Sequence, residues 1–228
     1  MKYKAVLFDL FGTLVENFNG SEYENVLMKM ASVVSVPKAD FQRLWRDTFI
    51  ERNTGVHPTP QHSIRYICEQ LNIRVSDTLV EKAARIRLDY TLHSLEPRSD
   101  VVDTLKNLQS QGLKTGLISD CTGDIPMVWE QTKFAGVFDA TVFSCEVLTK
   151  KPDPQIYRIA TQSLGVKPQE CIFVGDGGSG ELTGARKVGM SPVLIRDPDE
   201  GDTHFMERED DWDGPRIAYL REVLNLVK

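Results

Sequence analysis

Lys4-Ala-Val-Leu-Phe-Asp9-Leu10-Phe11-Gly12-Thr13-Leu14 is the stretch on which the fold turns. An apolar run ends in a carboxylate and passes at once into a glycine-containing turn. Read as a strand over about 4–10, it delivers Asp9 to the strand's C-terminal end, where open α/β sheets bind their ligands. A carboxylate there can act as a nucleophile or hold a metal. Phe11, two residues on, can neither donate nor accept a proton, which narrows the chemistry that remains open.

Downstream of about residue 98 the chain alternates helix and strand patterns. A helix over 99–111 ends at Gly112 and the strand Leu113–Ser119 follows. Then come a helix near 124–134, the strand Ala140–Phe143 and a helix over 153–164 ending at Gly165. The strand Cys171–Gly175, a helix over 179–188, the strand Pro192–Ile195 and a final helix over about 214–227 complete the chain. Short loops between such units imply a parallel sheet covered on both faces. Residues 16–95 differ: they read as helices alone, over Ser21–Val34, Ala39–Arg52, Thr59–Leu71 and Ser76–Leu92, with apolar residues three and four apart. Asp40 and Ser76 are expected N-caps. The fold class expected is therefore α/β with an all-helical insert, 1–15 and 96–228 forming the core and 16–95 the insert. An insert placed directly after the strand of Asp9 is positioned to act as a lid.

The 228 residues carry a formal net charge of −6, which gives no electrostatic support for nucleic-acid or anionic-membrane binding. No apolar run approaches a membrane span. Cys68, Cys121, Cys145 and Cys171 show no CxxC spacing and are read as reduced thiols of a cytoplasmic protein. Nothing fixes the oligomeric state.

Four strand ends carry polar residues suited to one site. They are Asp9 with Thr13; Ser119-Asp120; Lys150-Lys151 ahead of a helix; and the acidic, glycine-rich loop Gly175-Asp176-Gly-Gly-Ser-Gly-Glu181. A hydroxyl and backbone N–H groups bind anion oxygens. A lysine neutralises charge that develops in a transition state. Carboxylates at Asp9 and Asp176 can share a hard cation such as Mg²⁺. The partner expected is a small phosphorylated or carboxylate substrate.

The order and wording of these segments resemble the haloacid dehalogenase superfamily of hydrolases, with residues 16–95 similar to that family's first-position helical cap. The resemblance implies a Rossmann-like three-layer core, a parallel five-stranded sheet and covalent catalysis through an aspartyl intermediate. It implies that Asp9 is the nucleophile, Ser119 the second-motif hydroxyl, Lys151 the third-motif lysine, and Asp176 with Glu181 the acidic fourth motif. It also implies that Asp9, Asp176 and the backbone carbonyl of Phe11 hold Mg²⁺. Glu181, near a helix start, is expected to support the site rather than ligate.

Phe11 departs from the family's phosphatases, which place a second Asp there to protonate the leaving alkoxide. Loss of a general acid typically costs about 10²–10⁴ in rate. Acyl and aryl phosphates, whose leaving groups need little protonation, remain feasible. The family's 2-haloacid dehalogenases carry an aromatic residue at this position and an arginine after a Leu-Trp pair, similar to Leu44-Trp45-Arg46 here. Arg46 is then a candidate anchor for a substrate anion. Against that reading, Asp176 would stand as a second anion beside Asp9 and weaken the nucleophile unless a cation relieved the pair. Metal-dependent phosphoryl chemistry, metal-independent dehalogenation and a binding protein that has lost turnover all stay open.

Other positions carry bland readings beside the sharp ones. Thr13 is either a turn residue or a phosphate contact, and Asp120 either a helix N-cap or a substrate contact. Trp45 is expected in the packing of the insert, Lys150 in solvent and Cys121 as a packed thiol. The stretch Asp197–Asp213 holds nine acidic residues and one basic one, Arg208. It reads as a solvated loop.

Overall fold

The structure, a computed structural model, describes residues 2–196, 208–209 and 211–227. Six parallel strands form one sheet: β1 (Ala5–Phe8), β2 (Lys114–Ser119), β3 (Ala140–Phe143), β4 (Cys171–Gly175), β5 (Ser191–Ile195) and β6 (Arg216–Ile217). Their spatial order is β3-β2-β1-β4-β5-β6. The chain runs outward from β1 through β2 to β3, then returns to β4 on the other side. The crevice beyond the C-terminal ends of β1, β2 and β4 is thus a topological switch point. Ala5 pairs with Lys114 on one side and Cys171 on the other, and Phe8 with Leu117 and Val174. All four residues of β1 are buried, as a central parallel strand requires.

Strand alternation sorts the side chains onto two faces. Val6, Phe8, Leu117, Ile172 and Val174 pack with Leu105 and Leu108 of a helix over Val101–Ser110. Ala5, Leu7 and Phe173 pack with Ile156, Tyr157 and Leu182 on the other face. A third apolar cluster, including Leu27, Met30, Phe41, Trp45, Ile64 and Ala84, belongs to the helical insert alone. It is built by α1 (Gly20–Val33), α2 (Lys38–Asp47), α3 (Phe49–Asn53), α4 (Pro60–Gln70) and α5 (Asp77–Ser94).

Several expectations need correction. Among the described residues the sheet has six strands, not five. The helix expected over 214–227 is instead β6, a 3₁₀ turn over Leu220–Glu222 and one helical turn over Val223–Leu226. Ile217, Leu220, Val223 and Val227 are all buried, so their spacing imitates a helical stripe. The carbonyls of Pro215 and Ile217, however, accept from Leu194 and Arg196 N–H at 3.0 Å and complete the edge of β5. The helix expected over Ala39–Arg52 breaks at Thr48, whose hydroxyl donates to the Leu44 carbonyl at 2.8 Å. Asp40 is not an N-cap: α2 begins after Pro37, and Asp40 pairs with Arg43 at 3.1 Å. Ser76 does cap α5, accepting from Leu79 N–H. No helix among the described residues is long and apolar enough to cross a membrane. All four cysteines are free and buried.

Candidate active site

Asp9 follows β1 directly, and its N–H still bonds to the Val174 carbonyl at 2.9 Å, so the β1–β4 ladder fixes it. Its Oδ1 meets Lys151 Nζ at 2.5 Å and its Oδ2 accepts from Thr13 Oγ1 at 3.2 Å. Burial pushes the Asp9 pKa up to about 6; Lys151 opposes the shift and Asp176 adds to it. Lys151 Nζ also meets Glu181 Oε2 at 2.5 Å. Burial works against the Lys151 charge, yet Asp9 and Glu181 hold its pKa well above the ordinary value. Glu181 is fully buried at the start of α6 (Glu181–Val188) and accepts from Gly177 N–H at 3.0 Å. Burial, then the charge of Asp9, raises its pKa well above the usual carboxylate range.

Two glycines make this crowding feasible. A Cβ on Gly12, whose φ is +76°, would strike the Asp176 carboxylate. A Cβ on Gly175 would strike the Glu181 carboxylate. The turn after β1 and the end of β4 are therefore bare so that carboxylates can close over them.

Carboxylate oxygens of Asp9, Asp176 and Glu181 lie within 4.8 Å of one another. This all-oxygen, anionic donor set fits a hard divalent cation. Positive charge already stands at its edges. Asp176 Oδ1 accepts from Gly178 N–H at 2.9 Å, and its Oδ2 meets the Arg208 guanidinium at 2.6 Å. Glu209, beside Arg208, accepts from Leu182 N–H at 2.8 Å and Thr183 N–H at 3.1 Å. It satisfies N–H groups of the first turn of α6. Arg208 and Glu209 thus correct the reading of 197–213 as solvated loop, while 197–207 and 210 lie outside the described residues.

A cavity of about 380 Å³ runs between sheet and insert. Asp9, Phe11, Asp120, Lys151, Asp176, Glu181 and Arg208 line it from below, and Trp45, Arg46, Arg52 and Arg87 from the helices. Ser119 is fully buried at the end of β2, off the cavity wall, and its hydroxyl has no hydrogen-bond partner among the described residues. Thr13 is likewise off the wall and bonds to Asp9.

Asp120 is not a helix N-cap, because the next helix begins at Asp124. Its Oδ1 accepts from Lys151 N–H at 2.8 Å, and Lys150 Nζ lies 3.6 Å from its Oδ2. Lys150 is therefore engaged rather than solvated. Arg46 reaches the rim, 59% exposed and paired with Glu24 at 2.9 Å. Trp45 stacks on Phe41 in the insert, as expected, and also faces the cavity. The Phe11 ring packs on Phe18 with centroids 4.5 Å apart. Burial raises the Cys121 thiol well above its ordinary pKa, so it is a packed thiol rather than a thiolate.

Arg52, Arg87, Asp124, Arg208 and Glu209 belong to the site without a local sequence signal, except that Arg208 is the lone cation in an acidic run.

A family model described as haloacid dehalogenase-like hydrolase matches residues 3–189. The chain belongs to the haloacid dehalogenase-like hydrolases. A glyceraldehyde 3-phosphate phosphatase of Methanopyrus kandleri is 30% identical over 99% of this chain and 97% of its own length. An (S)-2-haloacid dehalogenase 4A of Burkholderia cepacia is 26% identical over 84% of this chain and 82% of its own. The structure of a haloacid dehalogenase-family phosphatase from Thermococcus onnurineus shares the fold with a TM-score of 0.65 and 24% identity, covering 98% of this chain and 97% of its own. As a member of this hydrolase family, the chain has relatives of both chemistries.

Proposed function

We propose that this hydrolase transfers or hydrolyses a phosphoryl group, with Mg²⁺, on a small metabolite whose leaving group needs little protonation. The convergence of Asp9, Asp176 and Lys151 at the mouth of the sheet carries this reading. An Asp9 oxygen attacks phosphorus, and the bond from phosphorus to the leaving oxygen breaks with its electron pair leaving on that oxygen. Water then attacks phosphorus of the aspartyl phosphate, releasing phosphate and restoring Asp9. Lys151, held by Glu181, neutralises charge as it builds on the phosphoryl oxygens. Ser119, Thr13 and Asp120 are the remaining candidates for contact with the transferred group or its neighbours, and Arg46 for a substrate anion.

Asp9, Asp176 and the Phe11 carbonyl would hold Mg²⁺, which when bound supplies Lewis-acid stabilisation of the phosphoryl oxygens. Residues 16–95 act as the lid over 1–15 and 96–228. The named activity of the Methanopyrus relative supports phosphoryl chemistry. Its substrate is an alkyl phosphate, however, and Phe11 argues for acyl or aryl phosphates instead.

Metal-independent 2-haloacid dehalogenation is the second reading, favoured by one observation. Arg208 meets Asp176, so the carboxylate pair has a cation without metal. Asp9 would then attack carbon and expel halide, with Arg46 binding the substrate carboxylate.

Phosphate release from acetyl phosphate and p-nitrophenyl phosphate, with Mg²⁺ and with EDTA, tests the first reading. It expects Mg²⁺-dependent release that Asp9→Asn abolishes. Halide release from 2-chloropropionate in EDTA, lost in Arg46→Ala, would instead establish the second. Inertness in both assays would leave a binding protein.

A further inference from the structure

Two arginines stand in the cavity wall contributed by the helices, Arg52 on α3 and Arg87 on α5. Each is 2% exposed. Arg87 meets Asp124 Oδ2 at 2.9 Å, and that carboxylate is already shared with the hydroxyls of Thr91 and Thr122. Arg52 donates from Nη2 to the Trp45 carbonyl at 2.5 Å. Among the described residues, Nε and Nη1 of both arginines have no hydrogen-bond acceptor. Two buried cations thus face one buried carboxylate.

Aromatic rings cover the flat faces of both guanidiniums. Trp45 lies 4.2 Å from Arg52; Tyr23 and Phe18 lie 4.9 and 5.5 Å from Arg87. Such contacts offset only part of the cost of burying an unpaired charge, so the rings do not replace an anion. Burial, with the nearby charge of Arg87 contributing, lowers the Arg52 pKa. The unbalanced positive charge calls for an anion, and both arginines line a cavity that is continuous with Asp9 and of small-molecule size, their Nε and Nη1 atoms being themselves buried.

We propose that Arg52 and Arg87 form a subsite for a carboxylate carried by the substrate, distinct from Arg46, which is exposed and already paired with Glu24. The inference rests on the phosphoryl reading of Asp9 and names its substrate class: a small phosphorylated carboxylic acid. The phosphoryl end sits at Asp9 and the carboxylate at the helices. Phe11, Phe18 and Ile125 supply apolar wall for the carbon skeleton between.

Calorimetric binding of 4-carboxybenzylphosphonate and 4-methylbenzylphosphonate, with Mg²⁺ present, tests this without turnover. The wild type should hold the carboxylated ligand at least about tenfold more tightly, as expected for hydrogen bonds to a charged group. Arg52→Gln should bring the two affinities to within about twofold, and Arg52→Lys should restore part of the preference, each variant being checked for folding by its thermal melt. Equal affinities in the wild type would overturn the subsite. So would a preference that survives in folded Arg52→Gln. If neither phosphonate binds, 4-methylbenzoate alone separates the two claims. Its binding to wild type and not to Arg52→Gln would sink the phosphoryl reading and keep the subsite, whereas no binding would refute the subsite as well.

Discussion

The two ends of the cavity bury opposite imbalances of charge. At the strand ends, Asp9, Asp176 and Glu181 share Lys151 and Arg208. At the helices, Arg87 pairs with Asp124 while Arg52 bonds to the Trp45 carbonyl. Burying an ion costs several kcal/mol unless it is paired, so each end is poised for a ligand of the missing sign. The strand end suits a divalent cation and the phosphoryl group it accompanies, and the helix end suits an anion. On the proposed reading, the polarity of the cavity orients the substrate before any chemistry begins.

The largest effect that would sharpen this contrast is expected at Phe11. Restoring a general acid with Phe11→Asp should raise kcat/KM on alkyl phosphates by about 10²–10⁴ while changing acyl phosphates far less. Parallel kinetics on glycerol phosphate and acetyl phosphate check this, and a folded, metal-bound but still inert variant would break the leaving-group argument. Removing the shared cation at the strand end comes next. Lys151→Met leaves Asp9 and Glu181 buried without it and should cost about 3–5 kcal/mol of stability, read by denaturant unfolding. A variant as stable as wild type would show that the pairs are not what holds the strand end together.

Those two positions were legible in the sequence, and the reasons are local. Asp9 and Asp176 each directly follow a strand end and Lys151 stands three residues ahead of a helix start, and short-range pattern marks such ends. Strands 140–143 and 171–175 were legible to the residue because the first run stops at the polar Ser144 and the second at Gly175. Arg208 was not legible: it reaches Asp176 by a long-range return, closing a bridge between residues 178 and 208. Arg52 and Arg87 read as ordinary helix residues, because only tertiary packing decides which helix face meets the cavity. The C-terminal segment misled for the opposite reason, its buried Ile217, Leu220, Val223 and Val227 matching a helical stripe that the open edge of β5 overrides.

A smaller effect separates the two readings of the strand end. Arg208→Gln removes the guanidinium that competes for Asp176. Under the phosphoryl reading, Mg²⁺ should bind on the order of tenfold more tightly, about 1.4 kcal/mol, as measured by calorimetry. Under the dehalogenase reading, the same change should slow halide release by leaving Asp176 uncompensated.

The smallest effect concerns the insert itself. His57 Nδ1 lies 3.0 Å from His62 Nδ1, an arrangement that needs one ring to accept. Burial, then the proximity of His62, lowers the His57 pKa. The unfolded chain therefore takes up this proton first, as pH falls through about 6.5. Stability should decline on acidification from that value down to the folded pKa. Thermal melts between pH 7.5 and 5.5 should show a shallower decline in His57→Asn; an identical slope would remove the imidazole pair from the account.

The central claim is that Asp9 takes the phosphoryl group. Rapid acid quench of the protein with ³²P-labelled acetyl phosphate and Mg²⁺ tests it most directly. The account predicts transient, hydroxylamine-labile label on the peptide carrying Asp9, absent in Asp9→Asn. Phosphate release without label on that peptide, or label persisting in Asp9→Asn, would contradict it.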